Sequence, residues 1–268
     1  MCTPVPPARF HELIAAVCED RYAAKDLRTY GEIEDWDVSE IEDFSGAFEG
    51  RRAFNRDISR WNTSRATTMH AMFSGASSFN QPVGEWDVSR VTDMVFMFYD
   101  ARAFNQPLRG WNTSRVTVMR GMFAGASCFD QPLEGWDVSR VRCMHGMFAL
   151  TDAFNRPLER WNVGRVLQMG YLFFNAKAFN QPLGGWDVSR VIGMSSMFCG
   201  AQAFRQPLGD WDVSQVRCTW DIFEGSEGGS LRGWIVTPDA GLYRLVKGPR
   251  LRPHVASLSL ARRHRSFP

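Results

Sequence analysis

Trp86–Arg109 reads WDVSRVTDMVFMFYDARAFNQPLR, and this stretch is the unit that the chain repeats. Tryptophan stands at 36, 61, 86, 111, 136, 161, 186 and 211, a period of 25 residues without a slip. One phenylalanine column runs Phe48, Phe73, Phe98, Phe123, Phe148, Phe173, Phe198, Phe223. Another runs Phe54, Phe79, Phe104, Phe129, Phe154, Phe179, Phe204. Large apolar residues at a fixed period mark stacked units, each burying a face against the next.

Within the unit, Val91, Met94, Phe98 and Ala101 fall at helical spacing, with Met97 widening the stripe. A serine precedes each such run (Ser39, Ser64, Ser89, Ser114, Ser139, Ser189, Ser214), with Gly164 in its place once. Each run is followed by Gly50, Gly75, Asp100, Gly125, Leu150, Asn175, Gly200 or Gly225, and all but Leu150 tolerate the left-handed conformation that ends helices. The spacing therefore predicts a helix of about ten residues, roughly 15 Å long, in every turn. The remaining half-turn, FNQPLRGW at 104–111, is marked by a proline that cannot donate to a ladder. It leaves room for a short strand between the Leu/Val column (Val83, Leu108, Leu133, Leu158, Leu183, Leu208) and Trp. The expected fold is an α/β solenoid with one helix and one short strand per turn. Parallel strands about 4.8 Å apart would make eight turns a rod about 40 Å long.

The pattern W-D-V-S-x-V-T-x-M-x-x-M-F-x-G-A-x-x-F-N-Q-P-L, over about residues 30–225, resembles the repeat of BspA-like leucine-rich-repeat surface proteins. The resemblance implies a leucine-rich-repeat-like β/α solenoid. It also implies a surface, adhesion or protein-binding role without enzymatic activity.

The expected organisation is a disordered lead over 1–8 and an N-terminal capping helix and linker over 9–32. An eight-turn solenoid over 33–225 follows, then a degenerate capping half-turn over 226–246, stopped at Pro238, and a basic disordered tail over 247–268. The cap follows from Leu13, Ile14, Val17 and Tyr22, an amphipathic set that suits the apolar end of a stack. The formal charge of +2 hides an asymmetry. Residues 230–268 carry eight Arg or Lys against Asp239 alone, a net +7, which leaves −5 on residues 1–229.

The sequence offers little for catalysis. No CxxC, phosphate-cradling glycine loop or nucleophile elbow occurs, and the histidines never reach metal-ligand spacing with one another or with cysteine. No cofactor or metal is expected, and the reading is non-enzymatic. The six cysteines fall in columns and turns that do not pair, which favours free thiols and a reducing compartment. The start MCTPVPPARFHEL lacks a basic and then apolar leader, and no apolar run is long enough to span a membrane. Cytoplasmic placement is thus favoured by these residues, and a cell surface is suggested by the resemblance alone. The basic tail has no groove-reading motif or aromatic interleaving, so no specific nucleic-acid partner is expected.

One surface column lacks an evident folding role: Arg65, Arg90, Arg115, Arg140, Arg165 and Arg190. Each follows the serine (or Gly164) at the first position of the expected helix, where a cation opposes the helix dipole. Asp87, Asp137 and Asp187, three residues earlier, can pair with alternate arginines, whereas Asn62, Asn112 and Asn162 carry no charge. A solvated, partly ion-paired face is one reading. The other is a contact stripe for a protein partner or an acidic, polyanionic ligand. The functional expectation is a protein-binding or scaffolding repeat module, the alternative a structural, self-assembling solenoid.

Overall fold

The structure is a computed structural model that describes residues 3–226 and, as backbone, residues 234–239 and 242–247. The chain opens with a 3-10 turn at Pro7–Arg9, helix α1 (Phe10–Cys18), helix α2 (Ala24–Tyr30) and a second 3-10 turn at Ile33–Asp35. From Trp36 it winds through eight stacked coils, numbered here from each tryptophan. Strands β1 (Trp234–Asp239) and β2 (Leu242–Lys247) then pair antiparallel, Trp234 opposite Lys247. The expected half-turn at 226–246 is thus a hairpin where described, with Pro238 inside a strand opposite Tyr243. The tail expected over 247–268 lies, after Lys247, outside the described residues.

The α/β expectation for the coils is overturned. Among the described residues no coil contains a helix, and each joint between coils holds a single parallel bridge, from Asp43–Thr68 to Gly193–Cys218. Coil 2 shows why. Met69, Ala71, Phe73 and Gly75 donate their N–H groups to the carbonyls of Asp93, Val95, Met97 and Tyr99 in the next coil, at 2.7–3.1 Å. Between them, Met72, Ser74 and Ala76 close tight turns onto Met69, Ala71 and Phe73 at 3.0–3.3 Å. An α-helix would direct every N–H to the carbonyl four residues back. Here alternate groups leave the segment, and the backbone is a ribbon of overlapping turns.

Left-handed residues make the ribbon possible. Two recur in every coil, at Gly46 and Gly50, Ala71 and Gly75, Phe96 and Asp100, and so on to Asp221 and Gly225, with φ between 51° and 75°. Each reverses the sense of the turn, so the chain runs across the stack instead of winding up. The column read as helix stops is left-handed in all eight copies, Leu150 included at φ 58°. The helical spacing marked burial correctly, since Val91, Met94, Met97, Phe98 and Ala101 are fully buried. Successive tight turns return a side chain inward every three or four residues, as a helix does.

The core is a block of rings. Neighbours in the Phe48–Phe223 column lie 5.4–5.8 Å apart and within 13° of parallel. Within coils 1 to 7 they stack on the second column at 3.9–4.2 Å. Each buried ring contributes about 1.5–3 kcal/mol by transfer. From Trp61 to Trp211, every indole N–H donates at 2.8–3.2 Å to the backbone carbonyl 28 residues earlier, Ile33 to Leu183, just before the preceding tryptophan.

The strand expected in the proline half-turn is absent too. Side chains replace its ladder: the backbone N–H of Asn80, Asn105, Asp130, Asn155, Asn180 and Arg205 each meets the Oδ1 of residue 25 earlier at 2.9–3.0 Å. Gln81, Gln106, Gln181 and Gln206 add a second amide bond to the same groups. Where Asn is replaced by Asp130, Gln is replaced by Arg156, and an ion pair of 2.6 Å takes the amide's place. The column is structural, because the side chains meet backbone donors that the bend would otherwise orphan.

The N-terminal end is closed rather than loose. The lead expected to be disordered buries Val5 completely and bonds its N–H to Asp37 O at 2.9 Å. Helix α1 lays Phe10, Leu13 and Ile14 over coil 1, with Phe10 edge-on to Phe44 at 5.2 Å. His11 Nε2 lies 2.8 Å from Ser45 O, a carbonyl with no earlier coil to donate to it.

Candidate functional site

The arginine column sits just past a turn made by the residue after tryptophan. In all eight coils the Oδ1 of that Asp or Asn accepts the N–H two residues on, from Asp37 with Ser39 to Asp212 with Ser214, at 2.9–3.2 Å. The serines therefore cap no helix; they are the closing residues of Asx turns. The turn's hydrogen bonds, first that with Ser89, Ser139 or Ser189, hold Asp87, Asp137 and Asp187 below the usual carboxylate range, and the nearby arginine adds to it.

With the carboxylates so engaged, the ion pairs that the sequence allows do not form. Arg90, Arg115, Arg140, Arg165 and Arg190 are exposed and, among the described residues, have no carboxylate within 4.0 Å. Arg65 is the exception, at 2.6 Å from Glu42 of coil 1. It belongs to an ion-paired joint that includes Glu32 and Glu34 with Arg56, and Asp35 with Arg60. No helix begins at these arginines, so the dipole penalty expected from the sequence does not arise. The structure thus brings five of the six into one open column and ties the sixth to the end coil.

Three of the five line an open concavity of about 560 Å³: Arg140, Arg165 and Arg190, with Ser139, Asn162 and Gly164. Gly164 is the one glycine in the serine column, and a Cβ there would come 3.1 Å from Asp187 Oδ2. One carboxylate thus borders a hollow otherwise ringed by guanidinium groups. These can bind an anion through planar, forked donors. Among the described residues, no three His, Cys, Asp or Glu side chains gather to hold a metal. No helix among them is long and apolar enough to cross a membrane.

Two overlapping matches, over residues 19–136 and 119–232, join the chain to the family described as Mycoplasma protein of unknown function, DUF285. The chain belongs to the DUF285 family. No curated protein and no solved structure matches it. The DUF285 match begins just after α1 and spans α2 and the eight coils, so the family unit is the repeat stack described above.

A second set of surface residues in this DUF285 chain escapes a period-based reading. Val95, Arg120, His145 and Trp220 share one column with His70, and Phe96 and Tyr171 share the next with three glycines. Large side chains here lie over small residues of the following coil. A Cβ on Gly121 would meet the Phe96 ring at 2.4 Å, and one on Gly170 would meet His145 Nδ1 at 3.1 Å. The available signal was departure from the small residues that other copies keep at these positions.

Proposed function

We propose that this chain is a non-enzymatic binding or scaffolding module that captures an acidic protein surface along its arginine column. The observation that carries this reading is the set of five exposed guanidinium groups, one per coil, with no carboxylate within 4.0 Å among the described residues. A uniform column on a rigid stack suits contact over an extended area more than bond-making at one point. The resemblance to BspA-like repeats supports an adhesion-type role of the same kind. Coils stacked about 4.8 Å apart present charge densely enough for neighbouring anionic groups to be held together.

The test is titration with polyglutamate, with dextran sulfate as a second polyanion, at about 50 and 200 mM salt, which spans the onset of strong screening. Polyglutamate should bind, more weakly at the higher salt. Arg115→Glu, Arg140→Glu and Arg165→Glu together should lower affinity at least about tenfold, or 1.4 kcal/mol, with little change in the melting midpoint. Binding that survives this charge reversal ends the proposal, as does a preference for dextran sulfate independent of these arginines.

A further inference from the structure

The outward face of coils 3 to 6 carries a second arrangement, independent of the arginine column. Phe96 and Tyr99 meet edge to face at 5.5 Å, and Arg120 lies over the Phe96 ring at 5.5 Å. His145 follows in the next coil, its ring 5.2 Å from Tyr171, which in turn lies 5.4 Å from Phe174. All six side chains are half-buried. Phe96 and Tyr171 hold left-handed backbones, at φ 54° and 58°, where the same column offers Gly46, Gly121 and Gly146. An aromatic residue is disfavoured in that conformation, and strain retained against an available glycine points to use.

Two polar groups inside this aromatic frame are unmatched. His145 Nε2 is buried and makes no hydrogen bond. Arg120 has no carboxylate within 4.0 Å among the described residues. Among the described residues, the groups facing His145 are Arg120 from coil 4 and Gly170 and Tyr171 from coil 6, with no acid. Burial first, and Arg120 second, push the imidazole below its ordinary pKa. A cation and a neutral imidazole, walled by aromatic rings and with no anion of their own, complement an anion that brings its own apolar surface.

We propose that Arg120 and His145, framed by Phe96, Tyr99, Tyr171 and Phe174, form a binding site for a carboxylate carried on an apolar body, such as an acidic residue beside an aromatic one in a partner peptide. The carboxylate pairs with Arg120 beside the His145 imidazole, while the apolar part covers the Phe96 and Tyr99 rings. Binding sets a negative charge beside an imidazole held neutral by burial first and Arg120 second, so affinity rises as pH falls toward the ordinary histidine range.

The experiment is histidine-resolved NMR of the full chain with N-acetylphenylalanine and, as the neutral control, N-acetylphenylalaninamide. The acid should shift the His145 resonances and raise the pH at which they titrate, and the amide should not. Arg120→Met should abolish the effect, Arg120→Lys should keep part of it, and Phe96→Gly should weaken the acid severalfold, each at an unchanged melting midpoint. Equal binding of acid and amide overturns the proposal. So does an unshifted His145 at about 10 mM acid, weaker than any useful affinity. Loss of the acid's effect on Arg115→Glu, Arg140→Glu, Arg165→Glu would place it on the arginine column and also overturn it, whereas failure of that column to hold polyglutamate leaves this site untouched.

Discussion

Phe96 and Phe98 stand two residues apart in one coil and obey different rules. Phe98 is fully buried, repeats in all eight copies and stacks at 5.6 Å on both neighbours of its column. Phe96 is half-buried, left-handed, and shares its column with Gly, Ala, Tyr, Ser and Asp. The inward side of the ribbon accepts one shape, because each ring must fit between two others. The outward side accepts any residue that tolerates the backbone or can be held in it. What varies from coil to coil is therefore where function can enter.

The sharpest way to break this comparison is to cut both rings. Phe98→Ala should lower stability by about 3–5 kcal/mol in urea melts, the range for an aromatic core residue. Phe96→Gly should leave the midpoint within about 1 kcal/mol, because relief of the left-handed strain offsets the lost contact. Equal losses would mean that the outward ring is core after all. Next in size is Gly121→Ala, which drives a Cβ into the Phe96 ring. It should cost about 1–3 kcal/mol through overpacking, and most of that should vanish in a Phe96→Gly background. An undiminished loss in the double variant would place the penalty in the backbone alone.

Smaller again is Asn105→Ala, which leaves the Asp130 N–H and Gln131 amide without their acceptor. About 1–2 kcal/mol should be lost, with no such loss for the paired change Asp130→Asn with Arg156→Gln, which restores the amide form of the ladder. The smallest effect concerns acid. Asp87, Asp137 and Asp187 have depressed pKa values, so the stability they contribute is present above the ordinary carboxylate range, near pH 4, and is lost as pH falls through the lower folded values. Replacing all three with Asn, which makes the same turn at Asn62, Asn112 and Asn162, should flatten the fall in melting midpoint below about pH 4. An unchanged acid profile would sink that account.

The sequence revealed the inward columns because stacking forces one residue type at each of them. It could not distinguish helix from turn ribbon, since Met94, Phe98 and Ala101 return inward at the same spacing in both. The second left-handed column hid behind Phe96, Tyr171, Ala71, Ser196 and Asp221, which do not announce positive φ. The strand expected beside proline was replaced by side-chain acceptors such as Asn55 and Asn80, whose role needs the register to be seen. For the site, the arginine column was legible as a period. That its neighbouring aspartates were already occupied by serine N–H groups was not. The Arg120–His145 frame was invisible to periodic reasoning, since it is built from exceptions to the repeat.

The forward-pointing ladder gives the stack unlike ends. Coils 1 to 7 each donate four N–H groups to carbonyls of the successor, and coils 2 to 8 return fewer to the predecessor, as Thr92 does to Thr67 O and Ala103 to Ser77 O. By that register the first coil turns the carbonyls of Asp43, Ser45, Ala47 and Glu49 to the N-terminal end, where no earlier coil donates to them. Open carbonyls at the end of a stack can accept N–H donors from another chain, as open strand edges do. Helix α1, with His11 on Ser45 O and Phe10 over the ring block, occupies the receiving end. It covers the ring block and meets one of those carbonyls, so the end coil is closed by the chain's own N-terminal segment.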